Sequence, residues 1–405
     1  RMAWGTAGLL LVSLLVQSCS AFSAPYASVQ GVGSSPRTAH LSTSSGRLKP
    51  QISHQTRMNL FGGMFGGQGG GAMGTPAGKK VPFGPLQVSE MGIGTWAWGN
   101  KLLWGYDESM DAELQEVFNL CVSSGVNLFD TGDSYGTGKL EGQSEKLLGK
   151  FMSDYAASNP SKPYPYIATK LATYPWRVTS GSMVAACKAS EGRLRRPVDV
   201  GQIHWSAANY APWQEGALWE GLARMKKEGL VQTVGVSNYG PKQLRKVHAY
   251  LRDEGVQLAS NQIQYSLLSR TVGDEVKEVC DELGITMIAY SPLGLGVLGG
   301  RYRKGGTMPS GARGFVLKQK VEEAEPLLAV LQEVAEGRRK TMAQVSINWC
   351  MCKGGVPIPG ARSLTQARDS LGAMGWRLDR GEVDALDAAA RGVKKELVQN
   401  IFQTS

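Results

Sequence analysis

The sequence predicts an α/β protein: a (β/α)8 TIM barrel with an N-terminal β-hairpin and a disordered N-terminal targeting extension. Two observations carry this. Apolar, β-branched runs alternate with amphipathic stretches at a step of about 27–40 residues over the first seven runs, which suits βαβ units on a parallel sheet. An acid, a phenol, an ammonium and an imidazole (Asp130, Tyr135, Lys170 and His204) lie at or just past the C-terminal ends of three successive runs. Barrels of this kind carry their sites on that face.

The elements follow in order. Residues 1–21 read as a signal peptide. Their apolar run, 7–16, is too short to span a bilayer and ends in the small, polar Gln17-Ser18-Cys19-Ser20-Ala21. Residues 22–78 read as a transit peptide and linker: rich in Ser, Thr, Arg and Pro, without an acid, then Gly-rich over 61–74. The junction Ser20-Ala21-Phe22-Ser23-Ala24-Pro25 resembles the Ala-Phe-Ala-Pro motif of bipartite plastid presequences, which implies the plastid stroma. Plain secretion is the alternative. The first acidic residue is Glu90, although the chain has 34. Seven basic residues precede it, so only +3 of the net +10 falls on the remainder. The charge therefore reflects targeting, and nucleic-acid binding is not expected. After processing no stable membrane insertion is expected either.

The barrel is expected over 79–405, with residues 81–88 as a hairpin closing its bottom. Strands are expected to begin near Met91, Val126, Tyr166, Val198, Val231, Leu258, Ile285 and Val356. Helices are expected over 111–124, 142–155, 180–194, 214–228, 241–252 and 273–283. The last interval holds a Gly/Arg-rich loop, 294–314, and helices near 323–337 and 341–353. A loop that long is usually functional. Gly92-Ile93-Gly94 is not a dinucleotide fingerprint, because it lacks a third Gly and a following helix. Cys121, Cys187, Cys280, Cys350 and Cys352 fall inside expected helices without a disulfide or metal pattern, which implies a reducing compartment.

The chemistry sits at the strand ends. The second run ends Phe129-Asp130-Thr131 and reaches Tyr135 on a Gly-rich turn; the third ends Thr169-Lys170; the fourth reaches Ile203-His204-Trp205. A Lys closing an apolar strand must find a partner. Asp130 can pair with it, Lys170 can lower the pKa of Tyr135, and His204 can orient a carbonyl oxygen. His204 and His248 are the only histidines beyond the leader, which argues against a zinc hydrolase. Paired carboxylates suited to glycoside cleavage are not evident. No metal site is expected.

These motifs, with Gly94-Thr95-Trp96, Gly235-Val236-Ser237-Asn238, Asn261-Gln262, Tyr265-Ser266, Tyr290-Ser291-Pro292-Leu293-Gly294 and Pro357-Ile358-Pro359-Gly360-Ala361-Arg362, resemble the aldo-keto reductases over about residues 81–400. The resemblance is to plastid-targeted members. It implies NADPH (NADP+) as cofactor and a small-molecule carbonyl as substrate. It implies Asp130, Tyr135, Lys170 and His204 as the catalytic residues. Thr95 and Trp96 join the cofactor set, and Ser237, Asn238 and Gln262 match its carboxamide binders. Tyr265 matches the aromatic stacked on the nicotinamide, with barrel packing as the alternative. Ser291, Pro292, Leu293, Gly296 and Leu298 match the pyrophosphate loop, where the Gly-rich backbone could approach phosphates. Gly360, Arg362, Gln366 and Asp369 match the adenosine end. Arg362 suits a 2′-phosphate, with helix capping as the alternative, and Arg301, Arg303 or Arg313 could add charge.

The family pattern there ends in Glu-Asn, whereas this chain has Asp369-Ser370. Trp96, Trp98, Trp104, Trp205 and Trp213 form either an aromatic substrate pocket or part of the core. The expected reaction is NADPH-dependent reduction of an aldehyde or ketone, with Tyr135 as proton donor. The alternatives are a partner-docking regulatory subunit with slow turnover and a pyridoxal-type vitamer reductase. The expected state is a monomer or weak homo-oligomer.

Overall fold

The computed structural model describes residues 79–136, 141–302, 308, 311–393, 397 and 402–404, with main chain alone over 311–316. The expected signal peptide, transit peptide and linker lie outside the described residues, as does Arg303 and the side chain of Arg313.

The chain enters through an antiparallel hairpin, β1 (Lys80–Phe83) and β2 (Leu86–Ser89), with Val81 opposite Val88. Eight parallel strands follow, each beside the next in sequence: β3 (Ile93–Gly94), β4 (Leu128–Gly132), β5 (Tyr166–Leu171), β6 (Val198–Ile203), β7 (Val231–Ser237), β8 (Leu258–Gln264), β9 (Thr286–Tyr290) and β10 (Val356–Ile358). The ring closes between its first and last strands. Gly92 N–H donates to Pro357 O at 3.0 Å and Gly94 N–H to Pro359 O at 3.1 Å. This explains the Gly92-Ile93-Gly94 sequence. A Cβ on Gly92 would lie 2.9 Å from Leu128 O, and one on Gly94 3.0 Å from Ile358 O. The glycines serve backbone approach at the closure, not phosphate binding.

Strands β4, β6 and β8 are buried along their whole length, because helices cover one face and the barrel interior the other. The hairpin plugs the bottom. Phe83, Leu86 and Val88 pack against Leu128, Ala168, Val200, Ile288 and Val356 from the strands above. Apolar residues thus fill one end of the barrel, and polar strand ends occupy the other.

The helices are α1 (Lys101–Trp104), α2 (Asp111–Ser123), α3 (Gln143–Ser158), α4 (Ser180–Leu194), α5 (Glu215–Lys227), α6 (Pro241–Asp253), α7 (Thr271–Leu283), α8 (Gly311–Arg338), α9 (Met342–Cys352), α10 (Leu364–Leu371) and α11 (Arg380–Arg391). Most match the expected segments within a few residues. Helix α8 starts at Gly311 and shortens the expected 294–314 loop. Gly311, Gly314 and Pro326 are weak helix residues, so its early turns carry no legible periodicity. Helix α11 was not expected. Its signal was present: Asp379 and Glu382 form a reciprocal capping box. The thiols of Cys350 and Cys352 face different partners, Tyr265 O and Asn348 Oδ1. The described cysteines are all unpaired.

Candidate active site

Asp130 lies within β4, Lys170 near the end of β5, and His204 directly after β6. Neighbouring parallel strands in register bring all three to one end of the barrel. Tyr135 follows β4 on a turn tied to β5, where Asp133 N–H donates to Lys170 O at 2.9 Å.

Lys170 is almost wholly buried and donates through Nζ to Asp130 Oδ1. The second carboxylate oxygen accepts from Gln262 Nε2 at 2.6 Å and Gln202 Nε2 at 3.2 Å. Three donors therefore compensate a carboxylate with 2 % of its surface exposed. Burial lowers the Lys170 pKa, with Asp130 the chief opposing influence. The ammonium sits 4.9 Å from the centre of the Tyr135 ring. A cation held there favours loss of the phenolic proton. His204 meets the Tyr135 ring edge-on at 5.6 Å. Its main chain is fixed on both sides: N–H to Leu171 O at 3.0 Å, and O to Asn238 Nδ2 at 3.0 Å. Burial, then Lys170 and Arg177, hold its pKa well below the usual histidine value. The imidazole is neutral at ordinary pH and can donate one hydrogen bond without charge.

These groups open into a cleft of about 470 Å³. Tyr135, His204, Trp205 and Phe402 line it, the last two stacked at 5.1 Å, as do Arg362, Gln366 and Asp369, with Trp96 near Arg362 through Trp104. Ser237, Asn238, Gln262, Ser291, Pro292, Leu293, Gly296 and Gly360 also line it. Among the described non-glycine residues, five have positive φ, and three of them (Asn238, Ser291 and Leu295) are on this cleft. Such conformations cluster at functional sites.

Several expectations need correction. Tyr265 is fully buried away from the cleft. Its ring stacks on Trp349 at 5.1 Å, its hydroxyl donates to Asp274 Oδ1 at 2.5 Å, and a Cβ on Gly273 would sit 2.1 Å from its ring. The packing alternative holds, and Tyr265 cannot stack on a ligand in the cleft. Tyr290, at the end of β9, lines the cleft instead, with its hydroxyl donating to Asn238 Oδ1 at 3.0 Å. The strand-end logic that finds Asp130 and Lys170 would have found it. Leu298 is core, and Thr95 is buried, with Oγ1 donating to Asp130 O at 2.9 Å. Neither lines the cleft. The amides of Gly294, Gly296, Val297, Leu298, Gly299 and Gly300 all bond carbonyls within the turn, which leaves them poorly placed to cradle a phosphate.

The adenosine-end residues are anchored to the protein. Arg362 donates to Trp104 O at 2.7 Å and lies over the Trp104 ring, while Ser363, not Arg362, caps α10. Asp369 accepts from Thr341 Oγ1 at 2.7 Å, and Ser370 is buried beside it on the cleft wall. The shorter acid is thus matched to Thr341. Arg301 also lines the cleft. Of the tryptophans, Trp96, Trp104 and Trp205 line it, Trp98 is core, and Trp213 is 76 % exposed. Ser134, Gln202 and Phe402 carry no local signal and emerge only from the fold. Among the described residues no group of His, Cys, Asp and Glu is arranged to hold a metal, and no helix is long and apolar enough to cross a membrane.

The residues present fit an extended dinucleotide. The cleft is lined by amide and hydroxyl groups (Asn238, Gln262, Ser237, Ser291), two arginines (Arg301 and Arg362) and the aromatic Tyr290.

Comparison with known proteins agrees. The family model described as "Aldo/keto reductase family" matches residues 90–391. The chain is 54 % identical over 328 residues to chloroplastic pyridoxal reductase of Arabidopsis thaliana, covering 80 % of this chain and 90 % of that protein. It is 30 % identical over 315 residues to an uncharacterized oxidoreductase of Mycobacterium tuberculosis, covering 76 % and 91 %. Among solved structures, glycerol dehydrogenase of Gluconobacter oxydans superposes with a TM-score of 0.67 at 23 % identity, covering 80 % of this chain and 98 % of that one.

Proposed function

Because this chain belongs to the aldo/keto reductase family, NADP-dependent oxidoreductases that act on carbonyl groups, we propose that it reduces a pyridoxal-type aromatic aldehyde to the alcohol in a plastid. The site observation that carries the reading is the buried Lys170–Asp130 pair beneath the Tyr135 ring, with His204 beside it. The substrate class rests on the 54 % identity to the Arabidopsis enzyme and on the aromatic Trp205 and Phe402, stacked at 5.1 Å on the cleft.

When bound, NADPH supplies the hydride. Ser237, Asn238 and Gln262 would hold its carboxamide end, Tyr290 its flat ring, and Arg362, Gln366 and Asp369 its adenosine end. Tyr135 gives its hydroxyl proton to the carbonyl oxygen as negative charge develops there. Lys170 stabilises the phenolate left behind, and Asp130 keeps that ammonium charged against its burial. Neutral His204 donates to the same oxygen and fixes its orientation. Gln202 and Gln262 hold Asp130 so that the Asp130–Lys170 pair cannot rotate away. The leader at 1–78 serves as a bipartite targeting segment in this reading, with the stroma as destination.

The test is steady-state NADPH oxidation with pyridoxal and with nitrobenzaldehyde, comparing the parent chain with Tyr135→Phe. The expected result is turnover of pyridoxal and a loss of about 10²–10⁴ in kcat for the variant, the usual contribution of general acid catalysis. Turnover of nitrobenzaldehyde alone would reject the substrate class. A loss smaller than about tenfold would reject Tyr135 as the acid.

A further inference from the structure

We propose that the buried ion pair Asp133–Arg177 is a positioning clamp that holds the Tyr135 turn against the end of the strand carrying Lys170. The inference rests on Tyr135 being the proton donor.

The turn 132–136 follows β4, and Lys170 sits on β5. Two different bonds from Asp133 cross between them. Its N–H donates to Lys170 O at 2.9 Å, and its Oδ1 accepts from Ala172 N–H at 3.0 Å. Asp133 thus bonds to main chain at Lys170 and again two residues on, while lying two residues before Tyr135 itself. The other carboxylate oxygen pairs with Arg177 at 2.6 Å. Arg177 then donates through Nη1 to Ala172 O at 2.6 Å. The pair therefore grips both the amide and the carbonyl of one residue, Ala172. Both side chains are shielded, with 4 % and 12 % of their surfaces exposed. Exposed ion pairs fix little, but this pair is shielded and each partner is also hydrogen-bonded to the Ala172 main chain.

Arg177 is itself held. Its guanidinium lies 4.9 Å from the centre of the Tyr174 ring, whose hydroxyl donates to Glu141 Oε1 at 2.6 Å. Gln214 Nε2 bonds the carbonyls of Tyr174 and Arg177 at 2.7 and 2.9 Å, which ties this loop to the segment before α5. Arg177 also carries charge towards the site, because its positive field helps keep His204 neutral. Neither Asp133 nor Arg177 lines the catalytic cleft. They act through Tyr135, Lys170 and His204.

The experiment compares Arg177→Ala, Arg177→Lys, Asp133→Ala and Asp133→Asn in the full chain, with Tyr135→Phe alongside. It reads kcat, KM and NADPH binding by tryptophan fluorescence. Misplacing a reacting group by an ångström can cost about 10²-fold, so Arg177→Ala and Asp133→Ala are expected to lower kcat by about 10–100-fold with NADPH affinity within about twofold. Asp133→Asn keeps the acceptor for Ala172 and is expected to lose less than Asp133→Ala. Arg177→Lys restores the cation and is expected to recover part of the loss. The proposal is overturned if both alanine variants keep kcat within about threefold of the parent. It is equally overturned if kcat and NADPH binding fall together with no recovery in the conservative variants, which marks a merely structural role. If Tyr135→Phe alone leaves kcat unchanged, the acid assignment has failed and takes the clamp with it.

Discussion

Replacing Asp130 by Asn probes the buried charge at the centre of the site. The carboxylate receives Lys170, Gln202 and Gln262, and all four side chains are buried. Asn keeps the shape and one acceptor oxygen but turns an N–H₂ group towards existing donors. Removing one partner of a buried ion pair costs about 3–5 kcal/mol, a large share of the roughly 5–15 kcal/mol that holds a domain folded. The deficit has a pH signature. Burial already lowers the Lys170 pKa, and Asp130 is the chief influence opposing it. Without Asp130 the Lys170 pKa falls further below the ordinary lysine value. Between that lowered value and the unfolded lysine value of about 10.4, the unfolded chain binds one more proton than the folded chain. Stability must therefore rise with pH in that window, by up to about 1.4 kcal/mol per pH unit. The assay is urea unfolding of parent and variant at several pH values between 6 and 9.5. The deficit should narrow as pH rises from the lowered Lys170 pKa of the variant to that of the parent, and stay level above it, where both chains gain stability alike. A deficit below about 1 kcal/mol at pH 7, or one that grows with pH, would refute the account of Asp130 as the counter-charge of Lys170.

Three further outcomes are expected. His204 is held well below the ordinary histidine value, so the folded chain binds fewer protons than the unfolded chain below about pH 6.5; stability should fall as pH drops through that region, and His204→Gln should flatten the fall in thermal unfolding scans. Arg362→Ala should weaken NADPH binding by about tenfold or more and leave NADH binding nearly unchanged, because the lost charge serves a 2′-phosphate; equal losses for both cofactors in fluorescence titrations would remove that role. Gly273→Ala should destabilise by about 1–3 kcal/mol through overpacking of Tyr265, since the new Cβ would meet that ring at 2.1 Å; calorimetry showing no change would mean the ring relaxes freely.

What the sequence determined by itself was what local chemistry writes. Short apolar, β-branched runs give strands such as β5 and β6 at the expected residues, because nearly all of each is buried, and a 3.6-period stretch gives helix α6, because one of its faces is buried. Asp130, Lys170 and His204 were legible because a polar group ending an apolar strand of a parallel barrel must face the one solvent-accessible end. The fold decided what depends on partners distant along the chain. Tyr265 and Tyr290 follow similar strands, and only the packing of Trp349 and Gly273 around the first leaves the second for the cleft. The glycine-rich turn looked like a phosphate cradle, but six of its amides bond its own carbonyls. Gln202 sits 72 residues from the carboxylate it braces, and Phe402 reaches Trp205 from the far end of the chain. Asp133 and Arg177 are ordinary charged residues until the barrel closes around Ala172. Strand ends are fixed by local pattern, whereas the contacts that align them exist only after long-range burial has removed water from between them.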